Sequence, residues 1–240
     1  MANFAQPAKV AEKKFYVQLR KVARIVGGII ESHVENEKIL NQRAMASALE
    51  AYSAALGPWG ETITGKIVDG LSASNARAWA SASARLGREL RSDLAQSVVG
   101  AVARNLQRDQ VELIKSLPLE AGLRAQKLAQ EATFTGQRAD EIAKKLADTE
   151  KITVGRARNI ARTEIAKANA AITRARAEYV GAEQYFWRTA GDEAVRESHA
   201  ELEGKVFRFD DPPEIEGEGA HGPGEFPGCR CYAEPIIGED

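Results

Sequence analysis

The side chains best suited to chemistry are concentrated in the last third of the chain, around a pair of cysteines. Cys229 and Cys231 are separated by one residue, and His199 and His221 precede them. Thiolate and imidazole groups are ligands that zinc prefers in a tetrahedral site. His199, Cys229 and Cys231 are therefore candidate zinc ligands, although the gap between the cysteines is shorter than the roughly two to four residues usual in zinc modules. We expect instead that no cofactor binds, that His199 hydrogen-bonds the C-terminal loop and that the cysteines pack as small apolar groups, with zinc as the alternative.

Two catalytic arrangements compete with a metal site in the same segment. If residues 193–203 are helical, Asp192, Arg196 and His199 project from one side, because they are spaced by four and three. Cys229 as nucleophile, His199 as base and Asp192 as orienting group would form a Cys-His-Asp arrangement. Glu164, Asp192 and His199 around an ion would instead form a metal-dependent hydrolase. Neither is accompanied by an oxyanion-hole element or an open catalytic motif, so we expect no enzyme and no catalytic residues.

Glu164 lies in a predicted helix whose apolar residues recur at intervals of three and four. That stripe comprises Ala157, Ala161, Ala168, Ile172, Ala175 and Tyr179, and Glu164 interrupts it. A buried carboxylate without a partner is costly, because its charge is removed from water. We therefore expect Glu164 to pair with Arg196 and His199, with a role as general base or metal ligand as the alternative.

Basic residues on the same helix lie largely off its apolar face. They are Arg156, Arg158, Lys167, Arg174 and Arg176. Such side chains can contact phosphates, and each neutralised phosphate adds to the salt dependence of nucleic-acid binding. The alternative is a solvated face that is balanced by Glu178 and Glu183, which we favour because such clusters are common on exposed helices.

The elements that position these residues are predicted to be mainly helical. The first half of the chain is rich in helix-forming residues, and Gly and Pro mark its interruptions. We predict one helical segment over residues 7–55 that stops at residues 57–60, and a second over residues 61–115. Pro118 is predicted to begin the next helix, with Leu119 and Leu123 on its apolar face. Residues 135–136 are predicted to interrupt the helical pattern, and Thr153 is predicted to cap the N-terminus of the helix that follows.

The C-terminal part has a different composition, which predicts short strands. Residues 183–189 and 205–209 have the aromatic and β-branched content of strands. Residues 210–228 are rich in Pro, Gly and Glu and are predicted to be a surface loop. Trp187 is a candidate core anchor, and Gly204 is a candidate turn residue. The predicted fold is mainly α, with long N-terminal helices followed by a small α+β module.

The bulk composition describes an ordinary globular protein. The chain has 240 residues, a hydrophobic content of 44% and a net charge of −1, so contact with DNA would require a local basic patch. No apolar run approaches the roughly 20 residues that span a bilayer, so we predict no contact with a membrane. The N-terminus lacks the features of a signal peptide, which predicts synthesis in the cytoplasm and reduced thiols.

An ordered series of residues in the last third carries a family resemblance. Ala161-Arg162-Thr163-Glu164 is followed by Trp187, Asp192, Arg196, His199 and Gly204, and the series closes on Cys229-Arg230-Cys231. This succession resembles the phage head morphogenesis domain of the Mu F-like minor head protein family. The motif core covers residues 153–235, within a predicted domain over residues 118–240. Residues 1–117 are then a helical region that contacts the portal or capsid.

The resemblance implies a structural minor capsid protein of a tailed bacteriophage. Such a protein is incorporated during procapsid assembly and is associated with the portal and with packaged DNA or its ejection. Its implied partners are the portal protein, the major capsid or scaffolding protein and DNA, and its implied location is inside the head near the portal. The chain printed above ends soon after Cys231, so no further enzymatic domain is expected. A DNA-binding accessory protein is the alternative from another functional class.

Overall fold

The computed structural model describes residues 4–35, 38–39, 41–85, 92–135 and 139–237. Its long helices are α1 (Gln6–Glu31), α2 (Gln42–Arg85), α3 (Ser92–Thr135) and α4 (Ala139–Tyr179). A short hairpin, β1 (Val34–Glu35) and β2 (Lys38–Ile39), follows α1. The C-terminal module contains β3 (Gln184–Arg188), α5 (Glu197–Ala200), β4 (Val206–Arg208), β5 (Glu214–Ile215), β6 (Gly219–Ala220) and β7 (Tyr232–Ile236). The predicted fold class is confirmed. Among the described residues, no helix is both long and apolar enough to cross a bilayer.

The first predicted helix boundary is wrong, because α2 continues through residues 57–60. Pro58 lies inside this helix, and the chain breaks earlier, at the β1–β2 hairpin. Leu56 and Gly60 lie one turn apart and are both buried. A Cβ at Gly60 would lie 3.6 Å from the Val111 side chain, so this face of α2 packs against α3. Tertiary packing of this face therefore outweighs the local preference of Gly and Pro to end a helix.

The helix starts predicted at Pro118 and Thr153 are also wrong. Pro118 lies inside α3, where buried residues continue at helical spacing through Ile114, Leu117 and Ala121. The predicted apolar face at Leu119 and Leu123 is exposed, at 41% and 66%. Thr153 lies inside α4, and its hydroxyl donates to the Thr149 carbonyl oxygen at 2.7 Å instead of capping a terminus. The helix predicted over residues 61–115 is divided, because α2 ends at Arg85 and α3 begins at Ser92.

The described residues form two compact units, each assembled from segments of all four long helices. One unit consists of Phe15–Thr64 and Arg108–Ala161. Its core comprises Val26, Ile30, Met45, Leu49, Ala121, Ala125 and Leu146. The Ser53 hydroxyl donates to the Lys115 carbonyl oxygen at 2.9 Å, which ties α2 to α3 within this unit.

The other unit consists of Met1–Lys14, Gly65–Gln107 and Arg162–Asp240, and it contains the C-terminal module. Phe4 and Trp79 pack edge to face in one of its cores, with ring centroids 5.8 Å apart. A buried polar contact joins α2 to α4, where the Asn75 amide donates to the Thr173 hydroxyl at 2.8 Å. A hydrogen bond between two buried polar side chains is costly to break, so this contact constrains the register of the two helices.

The C-terminal module is a three-stranded antiparallel sheet in the order β4-β3-β7, with a separate β5–β6 hairpin. The two predicted strands are confirmed as β3 and β4. The helix predicted over residues 193–203 is limited to α5, and a turn precedes it. The predicted surface loop over residues 210–228 contains the β5–β6 hairpin and places Ile215 and His221 in the interior. The composition of residues 210–228 is polar, but the segment is held by the contacts of Glu218 and His221 that are described below.

Candidate metal centre in the C-terminal module

Three buried side chains with metal-binding chemistry meet between α5 and the start of β7. The His199 Nδ1 atom lies 3.4 Å from Cys229 Sγ and 3.6 Å from Cys231 Sγ. The exposed fractions of these residues are 1%, 2% and 6%. The structure therefore brings together the three residues that the sequence nominated as candidate zinc ligands.

The backbone around the two cysteines is shaped by turns and by a contact with α4. Gly228 has a φ of 74°, and its N–H donates to the Thr163 hydroxyl at 3.0 Å. The Cys229 N–H donates to the Phe226 carbonyl oxygen at 3.0 Å, and the Cys231 N–H points to Cys229 Sγ at 3.4 Å. β7 begins at the next residue and pairs with β3. The cysteine segment is therefore held between the helix and the sheet.

Glu218 occupies the other side of the His199 ring. Its Oε2 atom lies 2.8 Å from His199 Nε2 and 3.1 Å from His221 Nε2. Its Oε1 atom lies 3.4 Å from Arg196 Nε. Gly217 and Gly219, on either side of Glu218, both have positive φ, which allows the tight β5–β6 hairpin to present the carboxylate. Glu218 is therefore the carboxylate that both histidines share.

Electrostatics at the centre favour an ionised carboxylate and one ionised thiol. Burial raises the pKa of Glu218, but the hydrogen bonds from His199 and His221 outweigh that effect and hold its pKa below the usual value. The hydrogen bond from Cys231 lowers the pKa of Cys229 to about 5, with help from the backbone N–H groups of Cys231 and Gly224. The same thiol pair raises the pKa of Cys231. Two neighbouring thiols in this setting share one proton.

Aromatic rings enclose the centre. Trp187 is fully buried, and its ring centroid lies 5.4 Å from that of His199 in an edge-on arrangement. The rings of His221 and Phe226 are stacked, with centroids 5.2 Å apart. The Arg196 guanidinium lies over the Phe226 ring, 5.0 Å from its centroid. These rings bury the polar groups of the centre, and the low local dielectric strengthens the interactions between those groups.

The predicted partners of Glu164 are wrong. Glu164 lies 3.4 Å from Lys167, one turn along α4, while Arg196 and His199 both contact Glu218. Lys167 is the nearer cation because residues three apart are neighbours on a helix. Arg162, the other charged residue of this motif, lies 3.6 Å from Glu12.

Asp192 also lies in a different arrangement from the one predicted. Both of its carboxylate oxygens contact the Arg230 guanidinium, so it does not orient His199. The Cys-His-Asp arrangement is therefore wrong, since Glu218 occupies the position assigned to Asp192. Glu164, Asp192 and His199 each have a separate partner and do not surround a common point among the described residues.

The basic residues proposed for phosphate contact have partners within the chain. Arg156 contacts Glu120, the Arg158 guanidinium lies over the Tyr16 ring, and Arg174 contacts Glu178. Lys167 contacts Glu164, and Arg176 donates to the Ser72 carbonyl oxygen at 3.2 Å. These contacts favour a structural role, and contact with phosphate stays a prediction.

Sequence reasoning missed Glu218, which is the central carboxylate of the site. His221 precedes the cysteines in the sequence and was not among the three candidate ligands. The available signal was the Gly217-Glu218-Gly219 triplet, since glycines on both sides of a charged residue are typical of a tight turn.

Comparison with known proteins finds a similarity between this module and a phage protein family. Residues 124–234 match the family described as Phage Mu protein F like protein. An uncharacterized protein from Haemophilus influenzae is 38% identical over 127 residues, which are 53% of this chain and 28% of that protein. This chain therefore spans less than a third of that relative. No solved structure matches the chain. The matched range contains His199, Glu218, Cys229 and Cys231, and it confirms the resemblance to the Mu F-like family over this part of the chain.

Proposed function

We propose that this chain is a structural minor head protein of a tailed bacteriophage that enters the particle during procapsid assembly. The observation that carries the proposal is the family match over residues 124–234, which contains the whole C-terminal sheet except its last residues. The family supports a role in head morphogenesis. The more specific role, a low-copy protein associated with the portal, with packaged DNA or with its ejection, is the proposal made here.

The geometry of the C-terminal centre supports a structural role over a catalytic one. A nucleophile or metal-bound water must reach a substrate, but the Cys229 and Cys231 side chains are buried and aromatic rings surround them. Each charged group at the centre also has a partner inside the module. Such an arrangement fixes one folded geometry and leaves no open position for a large substrate.

Protein partners fit the surface of the long helices better than DNA does. Val17 and Ile25 are eight residues apart on α1 and are 46% and 49% exposed. On α3, the pair Leu119 and Leu123 is also exposed. Exposed apolar side chains at helical spacing are suited to packing against another protein, for which the portal and the major capsid or scaffolding protein are the proposed candidates. The internal pairing of the α4 basic residues reduces the charge available for phosphate contact.

Genetic complementation tests this proposal. The gene is deleted from the phage that encodes it, and the wild-type gene is then supplied from a plasmid. A gene carrying Gly70→Ala is supplied in parallel as the matched control, because the added methyl group meets no atom within 4 Å. We expect deletion to reduce infectious particles, through defective heads or failed delivery of DNA, and both genes to restore them. Normal yield, DNA content and infectivity after deletion would contradict the proposed role.

A further inference from the structure

The His199 ring separates two sets of side chains that can each bind a metal ion. Its Nδ1 atom faces the sulfurs of Cys229 and Cys231, and its Nε2 atom faces Glu218 and His221. One imidazole cannot direct both nitrogens at a single ion. The sulfur side and the carboxylate side of the ring must therefore have different roles, and the distances on each side show which one suits a metal ion.

Distances on the sulfur side match a zinc centre. With Zn–N of about 2.05 Å, Zn–S of about 2.3 Å and a tetrahedral angle, a nitrogen and a sulfur bound to one ion lie about 3.6 Å apart. The His199 Nδ1 atom lies 3.4 Å from Cys229 Sγ and 3.6 Å from Cys231 Sγ. Both distances are close to this value, and the three atoms all lie within 4.8 Å of one another, as one shared ion requires.

The Nε2 side has the features of the outer layer of a metal site. A histidine that binds zinc usually donates its other ring N–H to a carboxylate, which fixes the tautomer and the orientation of the ring. Glu218 fills that role at 2.8 Å from His199 Nε2, and it is itself held by Arg196 and His221. With the proton on Nε2, the lone pair of Nδ1 points to the two sulfurs.

Buried N–H donors surround the two sulfurs. Cys229 Sγ receives the backbone N–H of Cys231 at 3.4 Å and also interacts with the N–H of Gly224. Among the described residues, the buried indole N–H of Trp187 has no hydrogen-bond partner, and Trp187 packs in the same cluster as both cysteines. Metal ligands must be deprotonated, and N–H donors stabilise the charge of a bound thiolate.

We propose that this chain binds one zinc ion through His199 Nδ1, Cys229 Sγ and Cys231 Sγ, with Glu218 as the residue that positions His199. Three protein ligands leave the fourth position of a tetrahedral zinc ion to a small ligand such as water. The ion joins α5 to the start of β7 and stabilises the C-terminal module. The proposal does not depend on a role in the phage head.

Cobalt titration of the reduced full chain tests the zinc site directly, because cobalt bound to thiolates in a tetrahedral site has a characteristic charge-transfer and visible absorption. We expect saturation at one equivalent of cobalt and full displacement of its absorption by one equivalent of zinc. Elemental analysis of protein purified without a metal affinity column is expected to find bound zinc. Failure of the reduced, folded wild-type chain to develop thiolate–cobalt absorption would overturn the proposal, whatever the variants do.

Variants locate the ion. Cys231→Ser is expected to abolish stoichiometric binding, whereas Glu218→Gln is expected to weaken it by about 10- to 100-fold, as is typical for outer partners of metal ligands. His33→Gln is the matched control, since His33 lies near Ile29 in the other unit and should leave binding unchanged. His221→Gln separates the two sides of His199. Retained thiolate–cobalt absorption supports the proposal, and binding that requires His221 but not the cysteines would overturn it.

Discussion

Gly224 allows a quantitative test of how the C-terminal module packs against α4. Its φ is 90°, and a Cβ at this position would lie 3.0 Å from the Cys231 carbonyl oxygen and 3.2 Å from that of Ala166. A left-handed backbone costs a residue other than glycine about 1–2 kcal/mol. The overlap with two backbone atoms adds about 1–3 kcal/mol, because neither can rotate away. Gly224→Ala should therefore lower the free energy of unfolding by roughly 2–5 kcal/mol.

The same substitution at Gly70 is the matched control. Gly70 lies in α2, in the same compact unit, and a Cβ there would meet no atom within 4 Å. Replacing glycine by alanine inside a helix stabilises it by about 0.5–1 kcal/mol. The two substitutions are therefore predicted to have effects of opposite sign.

Urea unfolding of the metal-free, reduced protein measures both variants. Reaction of Cys229 and Cys231 with a thiol reagent provides a local probe, because both thiols are buried in the folded module. Gly224→Ala should shift the midpoint to lower urea and expose the thiols sooner, while Gly70→Ala should do neither. A Gly224→Ala protein within about 0.5 kcal/mol of wild type would refute the close backbone approach, since surface substitutions have effects of that size.

Three further predictions concern other parts of the chain. Asn75→Ala should lower the free energy of unfolding by about 1–3 kcal/mol, because it leaves the buried Thr173 hydroxyl without its 2.8 Å partner; thermal unfolding measures this. Pro58→Ala should raise stability by up to about 3 kcal/mol by restoring a helix N–H, and a lower melting temperature would contradict the continuous α2. Hydrogen bonds from Arg230 lower the pKa of Asp192, so the stability they provide is present above about pH 4 and is lost as pH falls through the lower folded pKa. Asp192→Asn should therefore flatten the acid limb of melting temperature against pH, and an unchanged limb would contradict this.

Local sequence predicted the types of the elements better than their ends. The strands β3 and β4 were recognised because aromatic and β-branched residues dominate two short segments. The helix ends were misplaced where Pro58 and Pro118 suggested boundaries that tertiary packing overrides. The burial of Gly60 against Val111 is a contact between residues far apart in the chain, and no local pattern contains it.

The candidate site shows the same division between residue chemistry and long-range contact. His199, Cys229 and Cys231 were grouped from ligand chemistry alone, and the structure places their side chains in contact. Glu218 was missed because its role depends on the β5–β6 hairpin turning the carboxylate toward α5. For Glu164, a partner within its own helix proved sufficient, and the longer-range pairing was not needed.

Protein mass spectrometry of purified procapsids and mature particles tests the central claim most directly. The particles are treated with nuclease and washed in high salt, so that loosely bound protein is removed before peptides are quantified against the portal and major capsid proteins. The account predicts peptides of this chain in both kinds of particle, at a copy number far below that of the major capsid protein. Abundant chain in the infected cell with none in procapsids or mature particles would contradict it.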